Sequence, residues 1–453
     1  MMQVKAEQEM FLRSGITLDV KFRIRQLKRL KEAIKAHDVL IYDALKKDLN
    51  KPVFESYVTE LGSVYSEIDY MIKHVKDWAK PQRVPTSLAH FYSKSHIYQE
   101  PYGRVLIIAP WNFPIQLSFV PLVGAIATGN CVVLKPSELA PHTARVIQQI
   151  IESVFAREYI AVEQGDGKVS QKLLKEGVDY CFFTGSTQVG KVIMETASQT
   201  LTPVTLELGG KSPVIVAKDT NIKHAAQRIV WGKFTNAGQT CIAPDYLLVD
   251  EAIRDDLINA IIEVIEEFYT KNPLENSDFS KIINRKHFKR VKKLIKDQSV
   301  IYGGGSNKEM LTIEPTLVLE PELDTELMQE EIFGPILPIL TYREVSQAVE
   351  FIRSKDKPLA LYLFTQDKAL KEYIIKNLSF GGAAINDTLI HQSNYNLPFG
   401  GVGASGMGQY HGKYSLETFS HPKSVIEKTD LFDIKLRYPP YKNWGLKLIQ
   451  KIM

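Results

Sequence analysis

The sequence predicts an α/β protein built on two parallel-sheet units, and three observations carry that reading. From Gly103 onward, short apolar runs alternate with segments of helical period: GRVLIIAP, CVVLKP, YIAVEQG and DYCFFTG. Strands separated by helix-length segments imply a parallel sheet covered on both faces. After VTLELGGKSPVIVA the alternation starts again, through PDYLLVD, PTLVLE, ILPIL and LALYLF.

In chain order, residues 5 to 80 read as helices, because apolar positions recur at spacings of three and four through LDVKFRIRQLKRLKEAI and ELGSVYSEIDYMIKHVKDW. Past Pro81, the aromatic and β-branched stretch SLAHFYSKSHIYQEPYG predicts one or two strands outside the main core. The first alternating unit is large enough to be a dinucleotide-binding domain. The second, with a long helix from Arg254 to Tyr269, runs to about residue 390. The last sixty residues read as less regular, with Gly-rich LPFGGVGASGMG followed by LRYPPYKNW. Neither a repeat nor a low-complexity linker interrupts the chain, so the two lobes are expected to share a tight interface.

Bulk properties bound the function. The 453 residues call for two or three domains, and 44% hydrophobic with 24% charged residues is an ordinary globular composition. A net charge of +4 gives no reason to expect nucleic acid as a partner. Cys131, Cys181 and Cys241 form no CxxC pair, which fits reduced thiols in a cytoplasm. The opening MMQVKAEQEMF lacks the apolar core of a signal peptide, and no stretch approaches the ~20 apolar residues of a membrane span. A cytoplasmic location is expected. His287, His391, His411 and His421 show no metal-ligand spacing, so no metal is assigned.

Several residues have chemistry as one reading and structure as another. In FTNAGQTCIAPD, small and polar neighbours around Cys241 suggest a tight turn that exposes the sulfur, whose reactive thiolate needs donors or a positive charge nearby. By composition alone an inert buried cysteine fits too, and Cys131 and Cys181, inside apolar strands, are read that way. Glu207, in an apolar strand ending at two glycines, has a setting that raises a carboxyl toward general-base strength; the alternative is a helix cap or a pair with Lys211. Asn112, between Pro110 and Pro114 in APWNFP, is either an oxyanion donor or a helix cap.

Gly185 and Ser186 in FTGSTQVGK lie between a strand end and a helix start, where free N–H groups suit a phosphate. The pair Gly185 and Gly190 does not match GxGxxG, and Ser186 as a plain cap explains the run equally. Lys135 and Glu138 in VVLKPSE follow a strand end, placed for ribose hydroxyls or as a solvated pair. Glu331 and Phe333 in QEEIFGP, taken alone, read as a surface acid beside a core aromatic.

Taken in order, PWNFP, KPSE, FTGS, ELGGKSP, GQTC, EEIFGP and LPFGGVGASGMG resemble the motif series of the aldehyde dehydrogenase superfamily, over about residues 5 to 425. The short amino terminus, and NDTLIH followed by SGMGQYHGKYSLETFSH, resemble its class 3 branch. Pro121 stands where many relatives outside that branch carry a lysine.

The resemblance implies two Rossmann-like parallel-sheet domains and a small bridging element for oligomerisation. Residues 1–80 and 105–206 would bind the cofactor, 207–389 would form the catalytic domain, and 81–104 with 390–453 would bridge a homodimer. It implies NAD, with NADP also possible, and a small-molecule aldehyde as substrate. Cys241 is then the nucleophile, Asn112 an oxyanion donor and Glu207 the base that hydrolyses the thioester. Ser186, with Gly185 and Gly190, would lie under the pyrophosphate, Lys135 and Glu138 on the adenosine ribose, Glu331 on the nicotinamide ribose and Phe333 against the ring. The tail NWGLKLIQKIM is amphipathic and too short to span a bilayer, so packing on a partner subunit is expected. The rivals are a coenzyme A-acylating dehydrogenase, against which Glu207 argues, a thiol esterase of unrelated class, and a non-catalytic binding relative.

Overall fold

The computed structural model describes residues 2–87, 90–431, 433 and 437–452. Its core is two mainly parallel sheets. The first has six strands in the order Gly406–Met407, Val204–Glu207, Tyr180–Thr184, Arg104–Ile108, Cys131–Lys135 and Ile160–Val162. All its pairings are parallel except Gly406–Met407 against Val204–Glu207. The second has seven, ordered Val300–Tyr302, Thr316–Leu319, Ile336–Tyr342, Tyr246–Asp250, Pro213–Val216, Ala360–Phe364 and Gly382–Ile385. Only Val300–Tyr302 runs antiparallel to its neighbour. Every residue of Arg104–Ile108, Cys131–Lys135 and Tyr180–Thr184 is buried, which is why these strands read as continuous apolar runs.

The amino-terminal helices pack on the first unit. Val20–Ala36 begins where Asp19 accepts from the N–H groups of Lys21 and Phe22, and it buries Phe22, Leu27, Leu30 and Ile34 along one stripe. Gly62–Trp78 does the same with Val64, Ile68, Met71 and Val75. Gln116–Thr128 is buried all round, Pro121 included, and forms the centre of this packing.

The third sheet is antiparallel: Gln82–Val84, Ser93–Pro101 and Ser420–Lys428. Ser93–Pro101 falls in the stretch where one or two strands were expected, whereas Gln82–Val84 precedes that stretch. The third falls in the stretch read as irregular, as do the helix Asn443–Ile452 and the Gly406–Met407 strand that completes the first sheet. Ser420–Lys428 is exposed along most of its length and has no buried alternation to reveal it; a nine-residue ladder to Ser93–Pro101 creates it. Leu88, Ala89 and Leu436, part of the stretches assigned to bridging, lie outside the described residues, as does Met453 of the tail. No helix among the described residues is long and apolar enough to cross a membrane.

Parallel register places the chemistry. Ile108 pairs with Lys135 and Phe183, and Thr184 with Glu207, so neighbouring strands end on one carboxyl edge. Residues 208–212 lead from that edge directly into Pro213–Val216 of the second sheet. Cys241 and Glu331 precede Tyr246–Asp250 and Ile336–Tyr342, at the amino edge of the second sheet. The site lies where the two edges meet.

Candidate active site

Cys241 is held by an unusual loop. After the helix Ile222–Phe234, three consecutive residues are left-handed: Asn236 at φ 53°, Ala237 at 52° and Gly238 at 73°. Gly238 is required twice over, since a Cβ there would also lie 2.3 Å from the Gly334 carbonyl oxygen. The Gln239 amide donates to the carbonyls of Asn236 (2.9 Å) and Lys281 (3.0 Å) and accepts from Ile283 N–H (3.0 Å). The Tyr362 hydroxyl donates to the Ile242 carbonyl at 2.6 Å. The loop presents Cys241 half-buried, whereas Cys131 and Cys181 are buried in strands.

Burial pushes the Cys241 thiol up to about 12, helped by the carboxylates of Glu331 and then Glu207; the N–H groups of Cys241 and Ile242 oppose the shift. The sequence reading called for donors or a positive charge. Donors are present, but they do not offset burial, so the resting group is a thiol.

Glu207 ends its strand at 2% exposure, and neither carboxylate oxygen has a hydrogen-bond partner. Burial holds its carboxyl well above the usual range. The alternative pairing with Lys211 is not formed: Lys211 pairs with Asp245 and donates to the carbonyls of Leu327 and Glu330, both at 2.9 Å. Asp245 in turn accepts from Ile332 N–H at 2.9 Å, tying the loops around Gly210, Cys241 and Glu331 together.

Asn112 does not cap a helix. Its Nδ2 donates to the Gln239 carbonyl at 3.0 Å, and one amide hydrogen remains. Across the cleft, the Glu331 carboxyl rests on Gly209, where a Cβ would lie 2.3 Å from Oε2. Its Oε1 is buried without a partner, and burial, with Asp245 nearby, pushes the group up to about 8. Glu331 is therefore no surface acid. Phe333, half-buried at φ 46°, meets the Trp111 ring edge-on at 5.3 Å; Trp111 also contacts His287 at 5.1 Å.

The remaining expected residues line the carboxyl edge of the first sheet. Lys135 is buried and reaches Glu138 at 2.6 Å, while Glu138 is 40% exposed, so this is not a fully solvated pair. Ser186 caps the helix Thr187–Ser198 through Val189 N–H. Two glycines depart from the phosphate-binding picture. Gly185 N–H donates to the Glu207 carbonyl at 3.0 Å, and Gly190 lets Leu208 approach, its Cβ position being 2.7 Å from Leu208 Cδ2. Strand and helix hydrogen bonding take up these groups, so the helix start at Ser186 is what remains open to an anion.

Several residues escaped the sequence reading. Asn236, Gln239, Asp245, Tyr362 and buried Tyr410 surround the site; Asn236, Gln239 and Asp245 stand in FTNAGQTCIAPD and Tyr410 in SGMGQYHGKYSLETFSH, yet the sequence reading gives none of them a role. Lys233, buried beside this loop, is lowered to about 8 by desolvation. Among the described residues, no cluster of three His, Cys, Asp or Glu side chains is arranged to hold a metal.

Known proteins share this fold and much of this sequence. A family model described as "Aldehyde dehydrogenase family" matches residues 9–425. Aldehyde dehydrogenase family 3 member H1 of Arabidopsis thaliana is 44% identical over 97% of this chain and 92% of its own length. "Aldehyde dehydrogenase, dimeric NADP-preferring" of Canis lupus familiaris is 44% identical over 94% of this chain and 95% of its own. The substrate-bound structure of Staphylococcus aureus AldH superposes with a TM-score of 0.97 at 49% identity, covering 99% of this chain and 98% of that one. A match of this extent, across both sheets and every loop that meets at Cys241, shows that the chain belongs to the aldehyde dehydrogenase family, among its class 3 members, and is an NAD(P)-dependent aldehyde dehydrogenase.

Proposed function

We propose that this chain oxidises an aldehyde to a carboxylic acid through a thioester on Cys241, with Glu207 as the base that hydrolyses it. One observation carries the reading: both Glu207 oxygens are buried without a partner, in electrostatic contact with the Cys241 thiol. Leaving a buried polar group unpaired costs about 1–3 kcal/mol, and a carboxyl kept that way is available to a transient partner such as water.

The steps follow from the residues. Cys241, protonated at rest, attacks once its proton has passed to solvent, and the raised Glu207 carboxyl is kept for the later water step. The sulfur attacks the carbonyl carbon, and the second amide hydrogen of Asn112 with the Cys241 N–H would hold the oxyanion. A bound nicotinamide supplies the acceptor for the hydride leaving that carbon, which becomes the thioester carbon. Glu207 takes a proton from water, the water oxygen adds to the thioester, and the Cys241 thiolate departs as the acid is released.

The edge of the first sheet fits a dinucleotide. The buried, unpartnered Oε1 of Glu331 offers an acceptor for a ribose hydroxyl. Lys135 and Glu138 would hold the adenosine ribose, the helix start at Ser186 the pyrophosphate, and Phe333 would lie against the nicotinamide. NAD is the proposed cofactor, and the NADP-preferring relative supports NADP as well. The six-stranded unit with the amino-terminal helices is assigned to cofactor binding, the seven-stranded unit to catalysis, and the antiparallel sheet with the tail to bridging a homodimer, in the cytoplasm.

Rapid mixing with an aldehyde tests this. Glu207→Gln should give a burst of about one reduced nicotinamide per site followed by turnover slowed roughly 10²–10⁴-fold, and Cys241→Ala should give no burst. Equal loss of burst and turnover in Glu207→Gln would remove its assigned role.

A further inference from the structure

We propose that the segment 51–61 is a clamp that positions Asn112 and the Cys241 loop against each other, with Lys51, Glu55 and Glu60 as its positioning residues. This rests on the reading of Asn112 as an oxyanion donor, and no motif singled out in the sequence includes these three side chains.

The clamp starts from a buried ion pair. Lys51 Nζ lies 2.6 Å from Glu60 Oε1, with both side chains at 0% exposure. Lys51 also donates to the Asn112 carbonyl at 3.2 Å and sits 4.3 Å from the centre of the Phe113 ring. The other Glu60 oxygen accepts from Ile115 N–H at 2.8 Å and Gln116 N–H at 3.2 Å, at the start of the helix Gln116–Thr128. One ion pair thus holds the loop at the Asn112 carbonyl and again just after it, at Ile115 and Gln116.

The same segment reaches the nucleophile loop. Glu55 Oε1 accepts from Asn236 N–H at 3.0 Å, at the first of the three left-handed residues before Cys241. Asn236 Nδ2 then donates to the Asn112 carbonyl at 2.9 Å and to the Gln239 carbonyl at 3.2 Å. The Asn112 carbonyl accordingly receives two donors, one from each loop's support, and the Asn112 amide returns a bond to Gln239. With the backbone oxygen and one amide hydrogen committed, the second amide hydrogen has one direction left.

Local structure makes the grip possible. Tyr57–Leu61 is a π-turn, wider by one residue than an α-turn. In an α-helix, residues three and four apart share a face; the extra residue brings Glu55 and Glu60, five apart, to the same side, where both interact with Lys51. Burying an ion pair gains little stability over an apolar pair of the same volume. Its bonds are directional, however, and directional support is what an oxyanion donor needs.

The test is a double-mutant cycle on the full-length enzyme, with Lys51→Met, Asn112→Ala and the combination. The readouts are the nicotinamide-reduction burst, steady-state kcat and KM, NADPH binding by fluorescence, and thermal unfolding. Lys51→Met should slow the burst on the order of 10–100-fold, as an ångström-scale misplacement does, with NADPH affinity unchanged. In the Asn112→Ala background it should slow the burst less than about twofold, because the residue it positions is gone. Equal slowing in both backgrounds, or a normal burst in Lys51→Met, overturns the clamp. Should Lys51→Met not fold, Glu55→Ala at the half-buried end of the segment runs through the same cycle under the same criteria. A burst that survives in Cys241→Ala defeats the reading of the site and the clamp with it, whereas a normal burst in Lys51→Met defeats the clamp alone.

Discussion

Glu207, Glu331 and Cys241 bring three acids together in a place where burial favours the neutral form of each. For Cys241 the consequence is measurable. With the thiol pushed up to about 12, alkylation by iodoacetamide in cofactor-free enzyme should rise about tenfold per pH unit from pH 6 to 10, following the thiolate fraction. A plateau near pH 7 or 8 would contradict the setting described. For Glu331 the consequence is in stability. Its folded value of about 8 lies above the ordinary 4.5, so the fold favours the protonated form. That contribution is intact below pH 4.5 and lost as pH rises through 8. Glu331→Gln should therefore unfold at a higher temperature than the parent at pH 8.5, by about 1–3 °C, with the difference closing at pH 5.

At the scale of elements, the loop Thr235–Gly238 and the Lys211–Asp245 pair set the geometry. Gly238→Ala combines a left-handed φ of 73° with a 2.3 Å approach to the Gly334 oxygen. It should cost about 1–3 kcal/mol in denaturant unfolding and slow the burst by displacing Cys241. Lys211→Met leaves Asp245 nearly buried beside an apolar side chain, since the partners are 8% and 4% exposed. A loss of about 3–5 kcal/mol is expected, read by the same unfolding experiment. Asp245→Asn should lose less, because an amide oxygen can still accept from Ile332 N–H.

Across the whole molecule, the meeting of two sheet edges explains why residues from 112 to 331 share one cleft. The antiparallel sheet lies apart from both cores, and its edge strand exposes Val425 and Ile426, as the tail helix exposes Trp444 and Leu446. Unpaired strand edges and exposed apolar side chains of this kind are suited to a partner subunit. Sedimentation should give twice the monomer mass, and Val425→Asp with Ile426→Asp should shift it to monomer while the burst per site persists. A monomeric parent would remove the bridging assignment.

Two parallel units were legible in advance because buried strands must be apolar throughout, and Cys241, Glu207 and Asn112 stood out as candidates because each stands in a motif of small residues and prolines. Lys51 and Glu60 had no such mark. A lysine or an acid has the same letters in solvent as in a core, and its burial is decided by which distant segments fold over it. The strand Ser420–Lys428 was hidden for a related reason: exposure on both faces and a distant pairing partner leave no periodicity to read. The chain's local pattern determined the parallel strands and most of the helices; long-range packing alone decided which charges were buried and which carboxyls lost their partners, because burial depends on segments distant in the chain.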